Sequence, residues 1–236
     1  FAELPIVAYL CIVKIEKETM EQKNKIIIFS NIKGGVGKTT LCSLFATYLA
    51  ENGMPVAVLD ADLQQSLYRH RVREEKADPE QKMPWQVTPL DTSDIKKVNK
   101  VMKELKKVPG NVLIDCPGNL NDKSLAAVYA AADVAVIPMS FDPDTVDATG
   151  IFLKALKSIS NCSMVFVPNR INDHEGKAEE RKQRAQTVNI LELVGTVVPR
   201  IKQGVAIKRY STIYSLESKQ KKIVATTFDA IMKAIM

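Results

Sequence analysis

Gly34, Gly35 and Gly37, with Val36 among them, run directly into Lys38, Thr39 and Thr40. Glycine lets a backbone wrap closely around an oxyanion, because a Cβ would block the approach and the turn needs dihedrals that other residues avoid. The loop amides and the positive end of a following helix then point at phosphate oxygens. A lysine placed like Lys38 reaches β- and γ-phosphates as a point charge, and a hydroxyl placed like Thr39 can ligate Mg²⁺. Such a cradle has to be held between a strand and a helix. Both are encoded: Ile26 to Phe29 is an apolar, β-branched run, and Leu41, Leu44, Phe45, Tyr48 and Leu49 then fall at helical spacing. Strand, glycine loop and helix stand in the order a phosphate-binding loop requires.

The loop departs from the general pattern GxxxxGK[ST] in one respect. Ile32 occupies the place of the first glycine, and Lys33 adds a second lysine at the head of the loop. The run Lys33-Gly-Gly-Val-Gly-Lys-Thr-Thr resembles the deviant P-loop of the ParA/MinD family of ATPases. The resemblance extends over about residues 25–236. It implies ATP and Mg²⁺ as cofactors, Lys38 as a catalytic cation, and a homodimer formed on ATP binding. It also implies that Lys33 crosses the dimer interface to the partner subunit's nucleotide.

Two acidic stretches fit that likeness. Asp115 closes the apolar run VLIDCPG, so a strand delivers one carboxylate to the loop side of a sheet, the arrangement that holds Mg²⁺, usually through water. Gly118 stands where the family usually has the second of two prolines. Asp60-Ala61-Asp62-Leu63-Gln64-Gln65 resembles the family's DxDPQ motif, with Leu63 in place of the proline. By that likeness Asp62 positions or polarises the attacking water and Asp60 supports the loop. Two further pieces resemble the adenine pocket, Val167-Pro168-Asn169-Arg170 and Val197-Val198-Pro199-Arg200: Asn169 would hydrogen-bond the base, and Pro199 with Arg200 would pack against it. Pro138 and Asp142-Pro143 are read as structural.

These groups need a scaffold, and the pattern supplies one. Short apolar strands are expected at 56–59, 85–87, 111–115, 134–138, 164–167 and 194–198. Helices are expected from 40 to a C-cap at Gly53, and over 64–76, 94–108, 124–132, 145–158, 177–187 and 222–236. Alternation of this kind gives an α/β fold, a doubly wound, mostly parallel sheet with helices on both faces. Ligands in such a fold collect outside the carboxyl ends of the strands. Residues 20–236 read as a single P-loop domain. Residues 1–19 read as an extra segment outside the core fold, with Met20 as a natural start.

Composition excludes several classes. Four scattered cysteines without a CxxC pair argue against a disulfide framework or zinc site. No apolar run approaches the ~20 residues of a spanning helix, so integral membrane association is not expected. His70, His174, and the arginines 69, 71 and 73 read as solvent-exposed. Six lysines share one face of the 94–108 helix, read as the solvated outer face of an α/β domain rather than a DNA-binding helix.

The net charge is +6. Seven cations in 200–222 (Arg200, Lys202, Lys208, Arg209, Lys219, Lys221, Lys222) form a footprint for phosphates or a solvated surface. The last helix is too poor in cations for a membrane-surface helix and is expected to pack onto the domain.

The expected protein is a small ParA-like ATPase that binds DNA non-specifically and partitions a plasmid or mobile element. It would work with a ParB-like or other adaptor protein in the bacterial cytoplasm, associated with the nucleoid. Too little chain precedes the loop for an N-terminal helix-turn-helix. The alternatives are a MinD-like membrane-positioning ATPase and, third, a biosynthetic P-loop enzyme.

Overall fold

The computed structural model describes residues 24–119, 122–172 and 177–235. The elements run β1 (Lys25–Phe29), α1 (Lys38–Glu51), β2 (Val56–Asp60), α2 (Ser66–Ala77), β3 (Gln86–Pro89), α3 (Ile95–Leu105), β4 (Asn111–Asp115) and α4 (Lys123–Ala131). They continue with β5 (Val134–Met139), α5 (Pro143–Ile159), β6 (Ser163–Pro168), α6 (Ala178–Glu192), β7 (Thr196–Val197), α7 (Val205–Lys208) and α8 (Ser218–Ile235). The seven strands form one sheet in the order β3-β2-β4-β1-β5-β6-β7, every pair parallel. The doubly wound α/β expectation is met. The extra segment 1–19, Cys11 and His174 lie outside the described residues.

Alternate residues of each strand feed opposite faces. Ile26, Ile28, Val112, Ile114, Ala135 and Ile137 meet Val98, Met102, Leu125, Phe152 and Leu156, which belong to α3, α4 and α5. Ile27, Phe29, Val58, Leu113, Val136 and Val165 meet Leu41, Phe45, Leu67, Phe228 and Ile231, which belong to α1, α2 and α8. Phe45 and Phe228 pack edge to face with centroids 5.1 Å apart, and burying each ring stabilises the fold by about 1.5–3 kcal/mol. The apolar stripe of α8 is thus spent on the core, as expected for a helix that packs on its own domain.

Local chemistry sets the element ends. α1 stops where Gly53 takes a φ of +74° and donates to Ala50, a glycine-terminated helix. Asp94, Asp122 and Asp142 cap α3, α4 and α5 through side-chain bonds to following amides. α2 begins at Ser66, two residues later than expected, because Asp62 to Gln65 closes into a turn with Gln65 at φ +48°. β7 keeps only two of the five expected residues, since Val194 and Gly195 donate back to Leu191 and finish α6. α7 has four residues and no sequence expectation preceded it.

Candidate functional site

The glycine loop leaves the carboxyl end of β1, the central strand, and enters the first turn of α1. Asn31 fixes its root. This buried side chain donates to the Pro138 carbonyl (3.0 Å) and the Thr149 hydroxyl (2.9 Å), and accepts from the Lys33 amide (3.1 Å). Gly35 and Gly37 stand at φ +75° and +101°, where only glycine is at ease. Gly37 is needed twice over, because a Cβ there would lie 2.4 Å from the Asn169 amide nitrogen. Asn169 donates that amide to the Val36 carbonyl at 2.7 Å, clamping the loop to the end of β6. One of its two donors is therefore already engaged by the loop.

Lys38 and Lys33 point to different places. The Lys38 Nζ lies 3.3 Å from the Lys33 carbonyl, and burial lowers the affinity of its amine for a proton, an effect that Asp115 opposes. A Cβ on Gly118 would sit 3.3 Å from both that Nζ and the Ile32 carbonyl, so a proline at this position would press on the lysine. The Lys33 Nζ instead turns toward the surface, 3.3 Å from Asp144 at the start of α5, a carboxylate whose side chain is 82% exposed.

Asp60 and Asp115 lie in register at the ends of neighbouring strands, both buried. Burial pushes the Asp115 carboxyl up to about 8, with the Thr39 hydroxyl bond working the other way and the nearby Asp60 adding to the rise. Burial likewise raises Asp60, against bonds from the Tyr68 and Asp62 amides at 3.0 and 3.2 Å. The two differ in satisfaction. Asp115 Oδ1 is buried with no hydrogen-bond partner among the described residues, an expensive state unless a ligand completes it. Asp62, half-buried at the loop head, accepts from the Gln64 amide at 2.8 Å. Leu63 beside it is 72% exposed, so replacing proline here frees a side chain into solvent.

This donor set fits Mg²⁺. An orphaned carboxylate oxygen beside a threonine hydroxyl, under a phosphate cradle, is oxygen chemistry that a hard cation takes. Among the described residues no group of three or more His, Cys, Asp or Glu side chains could hold a metal unaided.

Next to the loop, Gly37, Thr40, Asn169, Arg170, Lys202 and Lys208 line an open pocket, together with Gln203, Gly204 and Ile207. Pro199 and Arg200, expected to form this wall, are exposed instead. The Pro199 carbonyl accepts from Thr227 at 2.8 Å, and the chain returns to the site only after Ile201 donates to Pro168 at 2.7 Å. Arg170, which closes the Val167-Pro168-Asn169-Arg170 run likened to the base pocket, had no role of its own in the sequence reading. It holds a φ of +60°, and its guanidinium would lie 3.7 Å from a Cβ on Gly35. An arginine directly after the strand-end asparagine was the available signal.

Two sequence readings are corrected on α2. Arg71 is not exposed: it is 1% accessible and donates to Thr212 Oγ1 (3.0 Å), the Thr212 carbonyl (2.7 Å) and the Trp85 carbonyl (2.7 Å). Its guanidinium also lies 4.2 Å from the centre of the Trp85 ring, so stacking and three acceptors compensate its burial. His70 is half-buried between Glu74 (3.5 Å) and the Tyr210 ring (4.8 Å). Arg69 and Arg73 are exposed as expected, and so are the lysines of α3 and all seven cations of 200–222.

Comparison with known proteins agrees with this geometry. The family described as CobQ/CobB/MinD/ParA nucleotide binding domain matches residues 27–213, from β1 through the loop that Arg71 holds. The chain belongs to this family. Protein ParA of Rhizobium radiobacter is 25% identical over 217 residues, 87% of this chain and 92% of that protein. Among solved structures, apo McdA of Cyanothece superposes with a TM-score of 0.71 at 18% identity, over 90% of this chain and 99% of that one. A plasmid partition protein of Borrelia burgdorferi B31 bound to AMPPNP gives the same TM-score, identity and coverage. The MinD cell division protein of Aquifex aeolicus gives 0.67 at 21% identity, over 89% and 97% of the two chains. At these identities the structural likeness speaks for the fold.

Among the described residues no helix is long and apolar enough to cross a membrane.

Proposed function

We propose that this ParA/MinD-type chain is an ATPase that forms an ATP-sandwich homodimer, binds DNA non-specifically, and hydrolyses ATP to partition a plasmid or mobile element with a ParB-like or other adaptor. The observation that carries this reading is the divergence of the two loop lysines. Lys38 is drawn inward toward Asp115, whereas the Lys33 ammonium lies on an exposed carboxylate at the surface. A P-loop enzyme acting as a monomer has no use for that second cation. A dimer does.

In this reading Gly34 to Thr40 cradle the phosphates and Lys38 neutralises charge on the transferred group. Thr39 and Asp115 would hold Mg²⁺, which when bound neutralises phosphate charge and fixes the phosphate orientation. Asp62 orients the water that attacks, held by its bond from the Gln64 amide. Asp60 keeps the Asp62 turn and the start of α2 in place through its two amide bonds. Asn169 braces the loop and offers its remaining donor and its carbonyl to the base, while Pro199 and Arg200 support the wall from outside the pocket.

Sedimentation of the Asp62→Ala protein with ATP, with plasmid-length DNA or anionic vesicles, across a salt series, tests the proposal. An ATP-dependent dimer that travels with DNA and releases as salt rises is the expected result. A monomer that binds neither surface would leave a small-molecule enzyme as the better account, and sedimentation with vesicles would move the chain to the membrane-positioning side.

A further inference from the structure

On the inward side of α2, Leu67 joins the apolar core while Arg71 and Glu74 bond to one distant segment, residues 210–214. Besides the Arg71 bonds, Glu74 accepts from the Thr212 amide at 2.7 Å and from the Thr212 hydroxyl. Those bonds hold the Glu74 carboxyl below its ordinary range although burial pushes the other way. Gln81 reaches the Ile213 carbonyl at 3.3 Å, and Tyr214 donates to Asp78 at 2.6 Å. Segment 210–214 is thus fastened to the second half of α2 and to the turn that follows it.

This fastening sorts the charges. Glu74 is spent on Thr212, and Glu75 lies 3.8 Å from Arg71. Arg69 and Arg73 flank His70 on the helix and are exposed. Arg209, also exposed, directly precedes Tyr210, whose ring packs on His70 at 4.8 Å. Lys208 comes next and lines the pocket beside the glycine loop. Glu74 turns inward and Glu75 stays half-exposed beside Arg71, while Arg69, Arg73, Lys208 and Arg209 face solvent on the two segments joined by the His70–Tyr210 contact.

We propose that Arg69 and Arg73 of α2 join Lys208 and Arg209 in one surface for the phosphate backbone of duplex DNA, held together by the Arg71–Thr212 clasp. The inference rests on the DNA-binding reading above and adds residues of α2, far outside the 200–222 footprint. The clasp also ties the strip to the nucleotide loop, because Asp60 holds the first turn of α2 through the Tyr68 amide.

The test is anisotropy titration of a labelled 40-base-pair duplex with the full chain and ATP, over a salt series. Each cation that neutralises a phosphate contributes about 0.9 to the slope of log affinity against log salt, so Arg69→Ala/Arg73→Ala should flatten the slope by about 2 for each subunit in contact with the duplex. Both residues are exposed, so the fold should survive, and ATP-dependent dimer formation serves as the check. Lys96→Ala/Lys103→Ala, on α3 across the sheet, should leave the slope unchanged. Equal flattening by the α3 pair, or none by the α2 pair while Lys208→Ala/Arg209→Ala flattens it, would overturn the proposal and leave the DNA reading standing. Absence of DNA binding by the unmodified chain, with or without binding to anionic vesicles, would overturn both.

Discussion

β2 and β4 end side by side with a buried aspartate each, and the two carboxylates are in opposite conditions. Asp60 receives the amides of Asp62 and Tyr68, so it organises the turn and helix that follow. Asp115, its neighbour in register, keeps one oxygen with no partner among the described residues, beside Thr39 and Lys38. A fully bonded buried carboxylate is part of the scaffold. One left open beside the glycine loop is the candidate we assign to an arriving ligand. Identity of residue and of position along the strand did not decide the role; hydrogen-bond accounting did.

The contrast can be broken most forcefully at Asp115. Asp115→Asn should lower ATP hydrolysis at least about a hundredfold, by loss of metal-held phosphate orientation. The same change should leave the nucleotide-free protein as stable as before or more so, since it removes a buried carboxyl that folding keeps protonated at a cost. Phosphate release and urea unfolding read the two effects separately. A large loss of stability would mean that Asp115 is scaffold after all.

Asp60→Ala should do the reverse and show chiefly as lost stability. Two half-buried amides would lose their acceptor, at about 1 kcal/mol each. Denaturant melts measure the loss, and a variant as stable as the parent would remove Asp60 from the scaffold.

A pH series sharpens the comparison further. The Asp115 carboxyl is raised from 3.8 to about 8 in the folded chain. Across that window the folded protein retains a proton that the unfolded chain has released. Stability from this group is therefore full at the acid end, falls as pH rises through the window, and levels off above it. Asp60, raised too, adds in the same direction. Asp115→Asn should make the slope visibly shallower in unfolding experiments without nucleotide; an unchanged slope would contradict the shift.

The smallest effect belongs to a third carboxylate on the same face. Asp144 is exposed and pairs with the Lys33 ammonium at the surface, so Asp144→Ala should change monomer stability by no more than about 0.5 kcal/mol. A larger loss in the melt would show that the pair is structural.

Much of this was legible in the chain. The strand run 111–115 and its closing aspartate were read to the residue, because a fully buried parallel strand is continuously apolar and the carboxylate interrupts it. The glycine loop was legible because its conformational demands are local. Arg71 was misread because its burial depends on Thr212, and a helix of low hydropathy shows no sign of a partner so far along the chain. The Asn169 clamp on Val36 spans a similar gap. The pocket wall at 202–208 was displaced from the expected Pro199 and Arg200 by backbone bonds to β6 that no side-chain pattern announces. What the sequence hid was long-range pairing of polar groups.

The most direct measurement is calorimetric titration of the full chain with ATP, in Mg²⁺ and in EDTA, for the parent, Asp115→Asn and Asp60→Asn. The account predicts that Mg²⁺ tightens ATP binding in the parent and in Asp60→Asn, and that Asp115→Asn binds ATP equally with and without it. Retention of the full Mg²⁺ effect by Asp115→Asn, or its absence from the parent, would contradict the assignment of the open oxygen.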